Sequence, residues 1–171
     1  ATFRGGVAQT SSAGTTPHSG FVEHYRAFAS TIMPQVPPRQ GYIAVHVRGT
    51  DKRGGFPDCL SETLRRLSVP LRVVTDDPAL ARTRLLGRAA ANASDVFSDL
   101  AVILGASGIV MHSPGGWSAF SAMGAFFRGI PTLTTARDRW QLDLFRRAGA
   151  TLDGWYECGQ VHAFLAAARL V

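Results

Sequence analysis

Apolar runs in this chain are short, end in polar clusters, and alternate with stretches of helical period. Phe21, Tyr25, Phe28 and Ile32 recur at helical spacing and predict an amphipathic helix over 20–33, stopped by Pro34, Pro37 and Pro38. A run of β-formers predicts a strand over 42–48. A helix follows near 58–68, with Leu60, Leu64 and Leu67 as its core face and Asp58 or Ser61 as its cap. Leu71–Thr75 reads as a second strand, and Asp76-Asp77-Pro78 opens a further helix. A short strand is expected near Asp95–Phe97, then a helix over Leu100–Ala106 capped by Ser98-Asp99. Gly108–His112 and Ile130–Thr134 read as strands on either side of a hydrophobic helix, Trp117–Phe127. Two helical segments near 138–148 and 159–169 close the chain.

Strands alternating with helices at this spacing predict an α/β fold. The expectation is a single Rossmann-like domain over 19–171, its parallel sheet flanked by helices, after a flexible lead-in or long loop over 1–18. No internal repeat and no second domain are apparent.

Polar residues gather where the strands end. In open α/β sheets ligands bind outside the carboxyl ends of the strands. His46, Arg48, Thr50 and Asp51 fall at such an end. Alternate strand residues share a face, so His46 and Arg48 project to one side. An imidazole beside a guanidinium suits an anionic, nitrogen-rich ligand such as a nucleotide. The competing reading is structural: Arg48 pairs with Asp51 or Asp76 at the sheet edge. Asp76 and Asp77 stand at the end of the next strand, where they accept hydrogen bonds from a ligand or, for Asp77, cap the helix. Asp99 is open to the same two readings.

The segment His112-Ser113-Pro114-Gly115-Gly116-Trp117-Ser118 joins a strand to a helix. Free N–H groups at a helix start favour phosphate, and Gly115 and Gly116 allow close approach. Ser113 and Ser118 add hydroxyl donors. The segment lacks the lysine of a Walker A motif, and it has neither the dinucleotide glycine pattern nor a nucleophile elbow.

Composition narrows the classes. The 171 residues suffice for one good core and not for two full-size domains. Net charge is +6, and Lys52 is the sole lysine among 18 basic residues. Arginine suits bidentate phosphate contacts, although a coding bias toward Arg and Ala is the better account of the overall excess. The basic residues are scattered, so nucleic acid is not the expected partner. No apolar stretch reaches membrane-spanning length. Cys59 and Cys158 are able to pair, and nothing in their spacing requires it. No Cys/His cluster has the spacing of a metal site. Asn92-Ala93-Ser94 is a glycosylation sequon, meaningful only for a secreted chain. The chain opens on Ala1 without a signal-peptide pattern. That leaves the compartment open between cytoplasm and, for a piece excised from a longer precursor, the Golgi or ER lumen.

Taken together, four segments resemble the donor-binding half of the fucosyltransferases that use GDP-fucose. The α1,6-fucosyltransferases and the protein O-fucosyltransferases share a His-x-Arg-(Arg)-x-Asp segment, and His46-Val47-Arg48-Gly49-Thr50-Asp51-Lys52 resembles it with Gly49 in place of the second arginine. Thr75-Asp76-Asp77-Pro78 matches a Thr-Asp-Asp-Pro pattern of the family. Ser98-Asp99-Leu100 resembles its helix-opening Asp, and Ser113–Ser118 its serine-rich turn, which is also similar to that of the α1,2-fucosyltransferases. The order and spacing agree over roughly 40–130.

The resemblance implies an inverting transferase of the GT-B kind that needs no metal or other cofactor. Its partners are a nucleotide-sugar donor, a glycan or protein acceptor, and a second lobe or a second copy of the chain. It implies Arg48 at the β-phosphate of the departing GDP, His46 and Asp99 at the guanosine, Asp76 and Asp77 in supporting donor contacts, and Ser113 and Ser118 near the phosphates. The α1,6 enzymes carry a Glu base shortly after the motif. Here Arg53–Asp58 contains no Glu, and Asp58 or Asp51 stands in. The alternative function is a non-catalytic nucleotide-sugar-binding module, or one lobe of a larger transferase. A further alternative is a structural α/β domain that docks onto a partner protein.

Overall fold

The computed structural model describes residues 38–48, 57–85, 95–112, 119–134 and 154–171, together with His24, Ala27, Ser30, Thr31 and Pro34. Five strands form one all-parallel sheet. They are β1 (Gln40–Val47), β2 (Leu71–Thr75), β3 (Ala106–His112), β4 (Thr132–Thr134) and β5 (Trp155–Glu157). The helices are α1 (Asp58–Arg66), α2 (Pro78–Leu85), α3 (Val96–Gly105), α4 (Ala119–Arg128) and α5 (Val161–Ala167). A 3₁₀ turn, Cys158–Gln160, joins β5 to α5. The sheet order is β2-β1-β3-β4-β5. The chain is a Rossmann-like α/β domain.

The order dictates where the helices go. From β1 the chain steps outward to β2, then reverses across β1 to β3 and continues to β4. Parallel crossovers share one hand, so a reversal of direction moves the connecting helix to the other face. The two core clusters follow this division. Ile43, Val45 and Val47 of β1 pack with Leu60, Leu64, Leu67, Val110, Leu133 and Phe164, the α1 and α5 side. Tyr42 and Ala44, pointing the opposite way, pack with Val74, Ile103, Ile109, Met111 and Ile130, the α3 and α4 side. β1 is buried on both faces from Tyr42 onward, which is why it reads as a continuous apolar run.

Two glycines set how closely helix meets sheet. A Cβ on Gly108 of β3 would lie 2.7 Å from Cζ of Phe164, so the bare backbone there accommodates the α5 ring. A Cβ on Gly124 of α4 would collide with Ile109 and crowd Ile103 and Ile130 at 3.2 and 3.3 Å. α3 runs into β3 with no connecting residue between Gly105 and Ala106. Arg128 Nη1 donates to the Leu104 carbonyl at that junction (2.8 Å), and Arg39 donates to the Arg128 and Gly129 carbonyls at the end of α4. Both arginines complement the negative ends of helices. Tyr42 donates its hydroxyl to the Val102 carbonyl (2.7 Å) and carries the Arg72 guanidinium over its ring at 4.3 Å. Burial raises the Tyr42 pKa above its ordinary value, against the opposing pull of Arg72.

Several boundaries differ from the sequence expectations. Asp95–Phe97 is no strand: Asp95 caps α3, accepting from the Phe97 and Ser98 amides at 2.9 and 3.1 Å and from the Ser98 hydroxyl at 2.7 Å. Ser98-Asp99 therefore does not cap this helix. Asp99 lies in its first turn, with its N–H bonded to the Asp95 carbonyl at 3.0 Å. In α1 neither Asp58 nor Ser61 is the cap. Pro57 holds that position, Asp58 is the first helical residue, and Ser61 is buried. β4 is shorter than expected, since Ile130 and Pro131 precede it. β5 was not expected. In the 20–33 segment His24, Ala27, Ser30 and Thr31 are helical and exposed. The segments 1–18 and 138–148 lie outside the described residues.

Candidate functional site

The switch point of this sheet lies between β1 and β3, where the path reverses. Ligands of doubly wound sheets bind in the crevice outside the carboxyl ends at such a point. Here the two strands end level: Val47 pairs with His112. Arg48 follows the first strand directly and Ser113 the second. On the other side of β1, Val47 pairs with Thr75, the last residue of β2. Three of the four polar segments thus begin at one height along one edge.

His46 is 7% exposed and sits on the α4 side of the sheet, its ring centroid 5.9 Å from that of Phe120 and tilted by 55°. Phe120 is the second residue of α4. The imidazole is thus part of the floor beneath the amino end of that helix. Arg48 is half-buried. Asp76 is exposed. Asp77 caps α2: its Oδ1 accepts from the Leu80 amide at 2.9 Å, and its own N–H donates to Thr75 Oγ1 at 2.9 Å. The structural role weighed for Asp77 is the one its side chain performs. Asp99 is half-buried in the first turn of α3. His46, Arg48, Asp58, Asp76 and Asp99 each make a polar, electrostatic or ring contact. Thr50, Asp51, Ser113, Gly115, Gly116 and Ser118 lie outside the described residues.

Asp58 is exposed at the amino end of α1. The next residue, Cys59, forms a disulfide with Cys158, with Cα atoms 6.0 Å apart and a separation of 99 in sequence. The cystine ties the start of α1 to the end of β5. A groove of about 520 Å³ runs between α1 and α5, with Cys59 and Cys158 at one end, Glu62, Arg66 and His162 on its rim, and Leu67 and Leu165 in its floor. It contains none of the predicted donor-binding residues.

Among the described residues no group of three or more His, Cys, Asp and Glu could hold a metal ion. No helix among them is long and apolar enough to cross a membrane. The chain matches no known family model, no curated protein and no solved structure.

Proposed function

We propose that this chain is the donor-binding lobe of an inverting glycosyltransferase of the fucosyltransferase kind, with GDP-fucose as donor. One observation carries the reading: β1 and β3 flank the switch point and end in register at Val47 and His112, the residues just before Arg48 and Ser113 in the sequence. The two segments that resemble phosphate-binding parts of that family start where a doubly wound sheet receives a nucleotide.

In this reading Arg48 bonds the β-phosphate and offsets the negative charge that grows as GDP departs. A fixed donor aimed at developing charge acts mainly in the transition state, and removing one typically costs about 10²–10³ in rate. His46 holds the floor, and Asp99 faces the guanine from the first turn of α3. Asp76 supports the donor from the end of β2. Asp58 takes the proton of an acceptor hydroxyl on a glycan or protein. That oxygen attacks the anomeric carbon as the bond to the phosphate oxygen breaks, and the configuration inverts. A second lobe or a second copy of the chain supplies the acceptor side. The Cys59–Cys158 pair favours the luminal compartment, because cystines persist in oxidising surroundings.

Gly49 in place of the second motif arginine favours a second reading, a nucleotide-sugar-binding module without catalysis. Calorimetric titration with GDP, GDP-fucose, UDP and ADP, on wild type and Arg48→Ala, tests the donor site. Selective binding of the guanine nucleotides, weakened in the variant, is expected. Binding of none of the four ends both readings and leaves partner docking. Donor binding with neither hydrolysis nor transfer across a panel of acceptors selects the module.

A further inference from the structure

The first turn of α1 is held differently from those of its neighbours. Asp77 caps α2 and Asp95 caps α3, each through side-chain acceptance of backbone N–H groups. α1 starts after Pro57, which makes no side-chain cap. A helix start leaves several N–H donors without intrahelical partners, and an absent cap weakens the turn. The same turn carries a buried hydroxyl. Ser61 is 1% exposed, and its Oγ has no hydrogen-bond partner. The bond from Cys59 to Cys158 ties this turn covalently to the segment beyond the end of the edge strand β5.

That bond lies at a groove wall. Cys59 is exposed, Cys158 is half-buried, and both line the groove between α1 and α5. A cystine enclosed in a core reacts only when the domain opens, whereas one on a groove wall reacts in the folded protein, since exchange depends on access to sulfur. From Leu60 onward α1 has its own anchorage, because Leu60, Leu64 and Leu67 are buried in the core. The covalent tie and the hydrophobic anchorage thus act on different parts of one helix.

We propose that Cys59–Cys158 is a redox latch for the amino-terminal turn of α1. Oxidised, it fixes Pro57–Cys59, and Asp58 with them, against the end of β5. Reduced, it frees that turn up to Leu60 while the sheet and the rest of the helix stay in place. The reductant is a dithiol. Its thiolate attacks one sulfur of the cystine, and its second thiol displaces the mixed disulfide. The protein gains two electrons and two protons as two thiols, and the dithiol becomes a disulfide. That the latch governs a catalytic base rests on the reading of Asp58 above; the latch itself does not.

Hydrogen exchange resolved by residue tests it, on the oxidised chain, the chain reduced with dithiothreitol, and a Cys59→Ser/Cys158→Ser variant. The informative amides are Ser61, whose partner is the Pro57 carbonyl at 3.0 Å, and the next two, which by helical pairing bond the carbonyls of Asp58 and Cys59. Reduction is expected to speed their exchange about tenfold or more. The Asp99 amide, in the equivalent place in Asp95-capped α3, is expected to keep its rate. The double variant should behave as the reduced chain and ignore dithiol. Equal exchange at Ser61–Thr63 in both redox states overturns the proposal. So does a parallel rise at Asp99 and throughout the sheet, which would make the bond a staple for the whole domain. So does a cystine that resists alkylation after dithiol treatment unless denaturant is added. None of these outcomes depends on nucleotide binding, so failure of the donor titration and failure of the latch are separate results.

Discussion

Val47 and His112 face each other across the β1–β3 ladder, each the last residue of its strand. Arg48 therefore leaves β1 level with the end of β3. In the proposed reading a diphosphate bound there meets Arg48 as a charged donor, and a hydrogen bond to a charged group is worth about 1.5–3 kcal/mol. Arg48→Ala is expected to weaken GDP binding roughly 10- to 100-fold. Calorimetry checks it, with a thermal melt to show that the variant is folded, and unchanged affinity removes Arg48 from the site.

Adjacent carboxylates at the end of β2 have separable roles. Asp77→Ala removes the acceptor that holds the Leu80 amide and should cost about 1 kcal/mol of stability. Asp76→Ala, at an exposed position, loses only a solvent-screened contact and should cost less than Asp77→Ala. Urea unfolding of the two variants reads the difference directly, and equal losses would contradict it.

Gly108 is the point at which β3 admits the Phe164 ring. Gly108→Ala sets a methyl 2.7 Å from Cζ, closer than packed atoms tolerate. Overpacking of this kind costs about 1–3 kcal/mol. A fall in the urea midpoint at unchanged slope is expected, with recovery when Phe164→Leu is added. A neutral substitution would mean that α5 shifts freely.

The Asp95 carboxyl is held below the ordinary carboxylate range, first by the Ser98 hydroxyl and then by the Ser98 and Phe97 amides. Its folded pKa lies below its unfolded value. The stabilisation is therefore present above the unfolded value, about 3.9, and is lost as pH falls through the folded one. Asp95→Ala should melt earlier than wild type at pH 7, and the two melting curves should converge in strong acid. A gap that persists there would mean that the cap acts through packing and not through its charge.

Much of this architecture was legible in the residues. β2 occupies Leu71–Thr75 as the pattern required, and β1 and β3 follow from apolar runs covered on both faces. Leu60, Leu64 and Leu67 are the buried face that their spacing indicated. The start of α3 departs from the expectation for a physical reason. Val96 and Phe97 are β-formers, yet they continue the helical stripe of Leu100, Ile103 and Leu104, and both remain exposed because the stripe outruns its packing. Asp95, just before them, was the signal to weigh. β5 is a half-buried edge strand of three residues, too short for alternation to reveal. The cystine joins elements that only the sheet order brings together, so no spacing rule reaches it. At the candidate site, Asp77 shows the limit of motif reading: a Thr-Asp-Asp-Pro segment is also a well-formed helix start.

The junction of Gly105 and Ala106 has a mechanical meaning. With no slack between α3 and β3, and with Arg128 bonded at the joint, the strand sets the angular setting of the helix that precedes it. One residue inserted at the joint would turn the helix by about 100° and rotate Leu100, Ile103 and Leu104 out of the core.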